Sequence, residues 1–264
     1  MDPSRLTDTY TAYYALGHEV LDHPHCRAIR RDDAPQIYDA NHLQRVRAST
    51  ADEIDATLAF LERALGDRRH RQVIADPGTP ESFVARLALA GFEPEPTLQL
   101  LLDGPVRGRP PRALAVRLTE TDDDWASLAR LLRLDHEETC ARRGRPVYDL
   151  AVTDQMALCM RSRAPAARHW LARDDEEASG DVAFFASWPG EGGVGMVEDL
   201  YTLPDHRGRG IARALVHHAV SDARKRGADQ VLIGADPSDW PKSFYAELGF
   251  RPACVTWGWL KTPD

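Results

Sequence analysis

Apolar side chains recur every three to four residues in three long stretches of the chain, the spacing of amphipathic helices. Residues 51–65 carry one such stripe in the first half, and Gly210–Arg226 carry another in the second. Asp122–Glu138 begin with acidic residues and continue with a third stripe, which predicts a helix that starts near Asp122. The pattern therefore predicts a mixed chain in which helices alternate with other elements.

Self-comparison reveals a repeat at an offset of about 158 residues. Residues 72–77 match residues 230–237, and residues 83–92 match residues 244–250. Each copy has the pattern of a strand, a turn, a short helix, a Gly-Phe pair and a final strand. We therefore expect two related halves.

Gly and Pro are concentrated in residues 104–111, a composition typical of a linker. We accordingly predict one domain over residues 1–108 and a second over residues 109–264. Extending the repeat backwards predicts a strand at Asn41–Arg47 before the first helix, matched by a strand at Gly195–Leu203 before its counterpart.

The two copies differ in the turn between that strand and helix. Residues 207–212 are Arg-Gly-Arg-Gly-Ile-Ala, whereas residues 48–52 of the first half contain no glycine. Glycine allows a left-handed backbone and close approach of a ligand. Amide groups at a helix N-terminus attract an anion, so we predict a phosphate or diphosphate site, with Arg207 and Arg209 adding positive charge. The turn matches neither a Rossmann fingerprint nor a P-loop.

Three motifs in the second half resemble the GNAT superfamily of acyl-CoA N-acyltransferases. The family's diphosphate motif, Arg/Gln-x-x-Gly-x-Gly/Ala, fits Arg207, Gly210 and Ala212. Its Leu-x-Val-x-Pro strand signature is similar to residues 200–204, and its Tyr-x-x-x-Gly-Phe motif to residues 245–250. The motifs occur in the family's order, and the resemblance extends over about residues 112–262.

Three positions depart from the family pattern. Thr202 replaces Val in the strand signature, Ser238 stands where many members have Asn, and Pro241 where many have Ala. These departures put one pantetheine contact in doubt but not the family.

The resemblance implies an α+β fold with a central mixed β-sheet, splayed at its fourth strand and flanked by helices, and preceded by a truncated, degenerate GNAT-like half. Acetyl-CoA would lie in the splayed opening. The family's order of elements predicts one more helix at Tyr148–Arg163. It predicts strands at Ala113–Leu118, Arg168–Ala172, Val182–Trp188 and Gly195–Leu203. The resemblance implies that acetyl-CoA contacts Leu200, Tyr201, Thr202, Arg207, Gly208, Arg209, Gly210, Ile211, Ala212 and Ser238.

Transfer of an acyl group to an amine requires a neutral amine and a proton for the departing thiolate. A carboxylate near the amine would take its proton. Glu198 and Asp199 are candidates, and strand alternation predicts that they point to opposite faces. We favour Glu198, because residues 198–201 resemble a stretch of diamine acetyltransferases in which the Glu engages the amine. A solvated carboxylate at the strand end is the alternative.

Tyr245, by the same resemblance, would donate its phenolic proton to the CoA sulfur. Its ordinary pKa near 10 keeps it protonated at neutral pH. The alternative is a core aromatic residue. The first half has Val84 at the aligned position, and a valine cannot donate a proton. The thioester oxyanion would be held by a backbone N–H near Leu200–Thr202.

Composition narrows the remaining possibilities. The 264 residues carry 33 basic and 41 acidic side chains, a net charge of −8, which gives no broad surface for nucleic acid and weakly favours cationic small molecules. The four cysteines are far apart, and no metal site is predicted; His18, His23, His25 and Cys26 fit a polar loop around Pro24. No apolar run is long enough for a membrane span, so we expect a cytoplasmic protein.

The favoured hypothesis is an N-acetyltransferase that transfers the acetyl group of acetyl-CoA directly to a primary amine of a small molecule. The first half would cover part of the sheet or wall the acceptor pocket. Two alternatives stay open: a non-catalytic CoA-binding or interaction module, and an acyltransferase that uses aminoacyl-tRNA. A homodimer is also left open. Residues 137–145 are expected to form a charged, exposed segment between two helices.

Overall fold

The computed structural model describes residues 3–110, 114–174 and 180–262. These residues form helices α1 to α7, which are Pro3–Ala15, Ala51–Leu65, Glu81–Leu89, Asp122–Arg142, Leu150–Ser162, Ile211–Lys225 and Pro241–Glu247. They form strands β1 to β11, which are Glu19–His23, Cys26–Arg30, His42–Gln44, Arg71–Ala75, Glu93–Leu102, Ala115–Leu118, Arg168–Arg173, Asp181–Glu191, Val194–Thr202, Gln230–Ala235 and Arg251–Lys261.

All eleven described strands join one mixed sheet in the order β1-β2-β3-β4-β11-β5-β10-β9-β8-β7-β6. The two halves exchange their last strands across its centre. β5, from the first half, pairs antiparallel with β10 of the second, and β11 pairs antiparallel with β4 of the first. β5 and β11 also pair with each other over most of their length. The predicted boundary near residue 108 therefore divides two chain segments that share one sheet.

The order of elements repeats between the halves. β1-β2-β3-α2-β4-α3-β5 in the first half corresponds to β7-β8-β9-α6-β10-α7-β11 in the second. In both halves the pair before the helix crossover is parallel, β3 with β4 and β9 with β10. The second half has β6, α4 and α5 before this repeat, whereas the first half has only α1. The first half is thus a shortened copy, as the repeat predicts.

Helices cover both faces of the second half's sheet. On one face, Leu215 and Val216 of α6 are fully buried against Phe185 of β8. On the other, Leu128 of α4 packs against Phe184. Helix α1 lies on the same face as α4, where Tyr13 packs beside Trp188, Met196 and Leu232. The first half therefore contributes α1 to the core of the second.

Helices α2 and α4 begin at the residues that the sequence predicts. The side chains of Thr50 and Thr121 each accept a hydrogen bond from the backbone N–H three residues on. The carboxylates of Glu53 and Asp124 in turn accept one from the backbone N–H of these threonines, so both helices begin with a capping box. Helix α2 spans the predicted residues, and α4 begins where predicted but runs four residues past Glu138 to Arg142. The expected exposed segment at residues 137–145 is therefore helical as far as Arg142.

Other boundaries differ. The strand predicted at Asn41–Arg47 is confined to His42–Gln44, because Arg45 has a left-handed backbone with φ of 56°. The histidines around Pro24 lie in and beside a tight hairpin between β1 and β2, two strands that the sequence analysis did not predict. Ala113, the predicted start of the strand at Ala115–Leu118, lies outside the described residues.

All four cysteines are free thiols, and three of them are buried. The described helices include none that is both long and apolar enough to cross a membrane. Within the same part of the chain, no three His, Cys, Asp or Glu side chains are grouped as ligands for a metal ion.

Candidate active site

The site lies where the parallel strands β9 and β10 separate. They pair from Val194 with Gln230 as far as Val197 with Ile233, and the pairing stops there. Beyond Val197, β9 pairs only with β8, while β10 continues its pairing with β5. The edge of β9 from residue 198 onward is therefore open towards β10. This is the splay at the fourth strand that the GNAT resemblance implies.

A β-bulge lies at the start of this opening. Asp199 has φ of 58°, and the register with β8 shifts between the pairs Ala186–Glu198 and Phe184–Tyr201. The extra residue interrupts the alternation of the strand. The prediction that Glu198 and Asp199 point to opposite faces is therefore wrong, because it assumed an unbroken strand.

Both carboxylates instead face α1. The hydroxyl of Tyr13 donates to Oδ2 of Asp199 over 3.5 Å. Glu198 lines a cavity together with Tyr10 and Tyr14 of the same helix. The buried guanidinium of Arg163 lies over the rings of Tyr13 and Tyr14, 4.9 and 5.4 Å from their centroids.

Burial raises the pKa of Glu198 to about 8, with a further rise from the charge of Asp199 and an opposing effect from Arg163. Burial also raises the pKa of Asp199. A carboxylate with a pKa close to neutral can both accept a proton and release it during turnover. Glu198 therefore has the environment of a general base.

A cavity of about 440 Å³, which we call the turn cavity, opens on one side of the splay. Its walls are the end of β9, the turn before α6, the end of α4 and the start of α7. They include Asp135, Glu138, Leu200, Tyr201, Thr202, Arg207, Gly208, Gly210, Ile211, Ala212, Arg213, Trp240, Pro241, Phe244 and Tyr245. Nine of the twelve predicted site residues, Tyr245 among them, thus line this cavity.

The turn presents backbone amides to this cavity. Gly208 and Gly210 have left-handed conformations, with φ of 73° and 82°, and α6 begins directly after Gly210. Among the described residues, no backbone carbonyl accepts a hydrogen bond from the N–H groups of Gly208 and residues 210–213. A side chain at Gly208 would meet no atom within 4 Å. The open amides and the positive end of α6 form a seat for an anion.

The arginines of the turn differ from the prediction. Arg207 binds Glu138 through two contacts of 2.6 and 2.7 Å, and its Nε donates to the carbonyl of Thr202 over 2.9 Å. Arg209 lies 3.6 Å from Asp174 and is not among the residues lining the turn cavity. Arg207 therefore anchors the turn to β9 and α4, because its charge is paired with a carboxylate rather than left for a ligand.

Tyr245 closes the opposite wall. It is 7% exposed and packs against Phe244 and Phe250, with ring centroids 5.5 and 6.0 Å apart. Burial raises its pKa, and the charge of Glu198 raises it further. The hydroxyl therefore stays protonated, and Glu198 is close enough for its charge to be felt there.

Ser238, like Glu198 and Arg209, is a predicted residue that does not line the turn cavity. Its hydroxyl and backbone N–H both donate to Oδ1 of Asp236, at 2.5 and 2.8 Å, in a turn after β10. Trp240, which is 60% exposed, and Pro241 line the cavity in its place. The Trp-Pro pair at residues 240–241 is the signal in the sequence that could have indicated this wall.

A second cavity, of about 300 Å³, opens on the α1 side of the splay, and we call it the acidic cavity. Both halves form it. Its lining comprises Tyr10, Tyr14, Asp39, Gln72, Ile74, Glu95 and Thr97 from the first half and Glu198, Gly234, Ala235, Asp236 and Gly258 from the second. The first half is expected from the sequence to cover part of the sheet or wall the acceptor pocket, but none of these first-half residues is predicted, because they approach Glu198 only through long-range packing.

Comparison with known proteins gives the same family. Residues 125–250 match the family model described as the Acetyltransferase (GNAT) family. An uncharacterised N-acetyltransferase of Methanocaldococcus jannaschii is 36% identical over 70 residues, which are 26% of this chain and 30% of that protein. The chain matches only 30–40% of the length of its curated relatives.

Solved structures extend the likeness to the whole chain. A GCN5-related N-acetyltransferase from Kribbella flavida superposes with a TM-score of 0.69 at 16% identity, over 99% of this chain and 96% of that one. A tandem GNAT protein from the clavulanic acid biosynthesis pathway superposes with a TM-score of 0.59 at 16% identity, over 90% and 79%. At these identities the likeness concerns the fold. Residues 125–250 therefore match the GNAT acetyltransferase family, and the fold of the whole chain is similar to that of solved GNAT structures.

Proposed function

We propose that the protein is an acetyl-CoA-dependent N-acetyltransferase that acts on a primary amine of a small molecule in the cytoplasm. The observation that carries the proposal is the pair of cavities on the two sides of the splay. Open amides line one of them, and the other contains Glu198. Glu198 and Leu200 are two residues apart on β9, so the bulged strand passes from one cavity to the other.

The turn cavity fits the donor. The amides of Gly208 and residues 210–213 would hold the diphosphate of acetyl-CoA at the N-terminus of α6. The open edge of β9 at Leu200–Thr202 would bind the pantetheine arm through backbone groups that β10 leaves unpaired. Acetyl-CoA supplies a thioester carbonyl, and a backbone N–H of the open strand would stabilise the negative charge that develops on its oxygen.

Glu198 solves the protonation problem of the acceptor. An alkyl ammonium has a pKa near 10.4, so the free amine costs roughly 4–5 kcal/mol at neutral pH. Glu198 accepts the first proton from the ammonium group and passes it to solvent, and it accepts a second one from the nitrogen as the nitrogen attacks the carbonyl carbon. The N–C bond forms and the C–S bond breaks in the same ternary complex.

Tyr245 completes the proton balance. Its hydroxyl gives a proton to the departing thiolate, so the products are the amide and the free thiol of CoA. Solvent returns a proton to Tyr245, and Glu198 releases the second proton it accepted. Packing against Phe244 and Phe250 fixes the ring for this task.

The test is release of the CoA thiol from acetyl-CoA in the presence of polyamines, aminoglycosides, amino acids and peptides. We expect turnover with at least one amine and its loss in Glu198→Gln. Acetyl-CoA binding without turnover on any amine would support the non-catalytic module instead. Binding to tRNA that weakens with salt would support the aminoacyl-tRNA alternative.

A further inference from the structure

The acidic cavity carries more negative charge than the proposed reaction with a single amine requires. Four carboxylates line it: Asp39, Glu95, Glu198 and Asp236. No Lys, Arg or His is among the residues that line it. One ammonium group beside Glu198 would leave the two carboxylates of the first half, Asp39 and Glu95, without a cation from the acceptor.

A separate feature indicates a missing hydrogen-bond donor. Gln72 lines the acidic cavity and is only 8% exposed. Its side-chain oxygen is buried and accepts no hydrogen bond from any described residue. Buried polar oxygens in native proteins almost always have a donor, and an amide oxygen can accept from an ammonium group.

Two aromatic rings add to this chemistry. Tyr10 and Tyr14, one turn apart on α1, line the cavity with their ring centroids 4.9 Å apart. Aromatic faces attract organic cations. Arg163, the cation packed behind this wall, contacts the ring of Tyr14 but does not line the cavity.

The four carboxylates come from different segments around the cavity, and the charge of Asp39 adds to the rise in the pKa of Glu198. Glu198 lies at the splay, and its Oε1 would be 3.6 Å from a Cβ atom placed on Gly234 of β10. Asp39 and Glu95 come from the first half, and their charges act on one another, since Glu95 adds to the rise in the pKa of Asp39. At the rim, Arg143 lies 3.3 Å from Glu95 and 3.9 Å from Asp236, so it bridges the halves across the mouth.

We infer that the acceptor is a short aliphatic diamine, whose second ammonium group is bound by Asp39, Gln72 and Glu95 of the first half while its first amine reacts beside Glu198. This inference rests on the proposed function. A cavity of about 300 Å³ suits a small acceptor rather than a large aminoglycoside. The first half therefore determines specificity, although it lacks the glycine turn and the tyrosine of the second.

The experiment compares 1,4-diaminobutane with butylamine, which has the same carbon chain and only one amine. We expect kcat/KM to be at least 100-fold higher for the diamine in the unaltered protein. Asp39→Asn and Glu95→Gln should each reduce this preference, Asp39→Asn by about tenfold or more, mainly through KM for the diamine, because the second ammonium group is bound equally before and during the reaction.

Glu93→Gln is the matched control, since Glu93 is an exposed residue of the same strand as Glu95 and does not line the cavity. It should leave the preference unchanged. Calorimetric titration of each protein with 1,4-diaminobutane provides a second readout, in which affinity should fall in Asp39→Asn and not in Glu93→Gln.

The outcomes separate this inference from the proposed function. Equal acetylation of butylamine and the diamine would overturn the inference and support the acetyltransferase. Binding of the diamine that depends on Asp39 but leads to no acetylation would support the cation site and contradict the proposed reaction. No binding and no acetylation of the diamine would overturn the inference.

Discussion

The two halves place a helix after a parallel strand in the same topological position, but the helices begin differently. At α2, Thr50 accepts from the N–H of Glu53, and the Glu53 carboxylate accepts from the N–H groups of Ser49 and Thr50 at 2.8 and 3.0 Å. These bonds lower the pKa of Glu53 to about 2, so this helix start already holds a negative charge. At α6, Gly208 and Gly210 leave the amides open. The first half caps its own helix, and the second leaves room for an anion.

The strands before these helices show the same divergence. Arg45 and Asp199, near the ends of β3 and β9, are the two described non-glycine residues with positive φ, at 56° and 58°. Gln44 precedes the first and Glu198 precedes the second. The amide of Gln44 donates to the carbonyl of Thr11 over 3.2 Å and carries no charge, whereas Glu198 faces a cavity. A shared backbone therefore does not carry the function, which depends on a few side chains and one uncapped helix.

Glu198→Gln gives the second half the glutamine that the first half has at Gln44. Of the variants considered, we expect it to have the largest effect on activity. Loss of a general base should reduce kcat/KM by roughly 10²–10⁴-fold at neutral pH. Steady-state release of the CoA thiol measures this change. Asp199→Asn is the comparison, and a larger loss there than in Glu198→Gln would make Asp199 the base.

Tyr245→Phe removes the hydroxyl that Val84 of the first half also lacks. The ring would keep its packing against Phe244 and Phe250, so the protein should stay folded. We expect kcat to fall by roughly 10²-fold, with little change in the affinity for acetyl-CoA. Full turnover in this variant would contradict the role of Tyr245 as the acid.

The pH profile should show the raised pKa of Glu198. The ionised carboxylate is the active form, so the rate rises with pH through the pKa of about 8 and levels off above it. Ionisation of the amine affects the unaltered protein and Glu198→Gln alike. The ratio of their kcat/KM values should therefore increase about tenfold between roughly pH 7 and 9. A ratio that does not change with pH would contradict this assignment.

Thr50→Ala tests the capped helix, where we expect the smallest effect. Loss of the N-cap should lower the free energy of unfolding by about 1 kcal/mol, measured by urea denaturation. The affinity for acetyl-CoA should not change, because α2 lies in the half that binds none. A change in acetyl-CoA affinity would mean that α2 contributes to the donor site.

Local signals in the sequence predicted the repeated strand-helix elements of both halves well, but not α1, β1 or β2. The apolar stripe and the Thr50 cap determine α2, and the glycines determine the turn before α6, because these features act between residues close in the chain. The exchange of β5 and β11 was not predictable, since each strand would pair equally well within its own half by pattern alone.

In the candidate site, too, local features were predicted and long-range ones were not. Motif spacing identified Tyr245 and the amide turn, whose geometry is local. The bulge at Asp199 has no signal in a Glu-Asp pair, so the orientation of both carboxylates was mispredicted. Tyr10, Asp39 and Gln72 reach the acidic cavity through packing between segments far apart in sequence, which no local pattern encodes.

The most direct test of the central claim is calorimetric titration of acetyl-CoA into the unaltered protein, Gly208→Ala and Gly227→Ala. Gly227 lies beyond the other end of α6, also has positive φ, at 107°, and also has open space around it, so it controls for backbone strain. We predict one site per chain, binding weakened at least tenfold in Gly208→Ala, and unchanged affinity in Gly227→Ala. Two sites per chain, or undiminished affinity in Gly208→Ala, would contradict the assignment of the donor site to the uncapped start of α6.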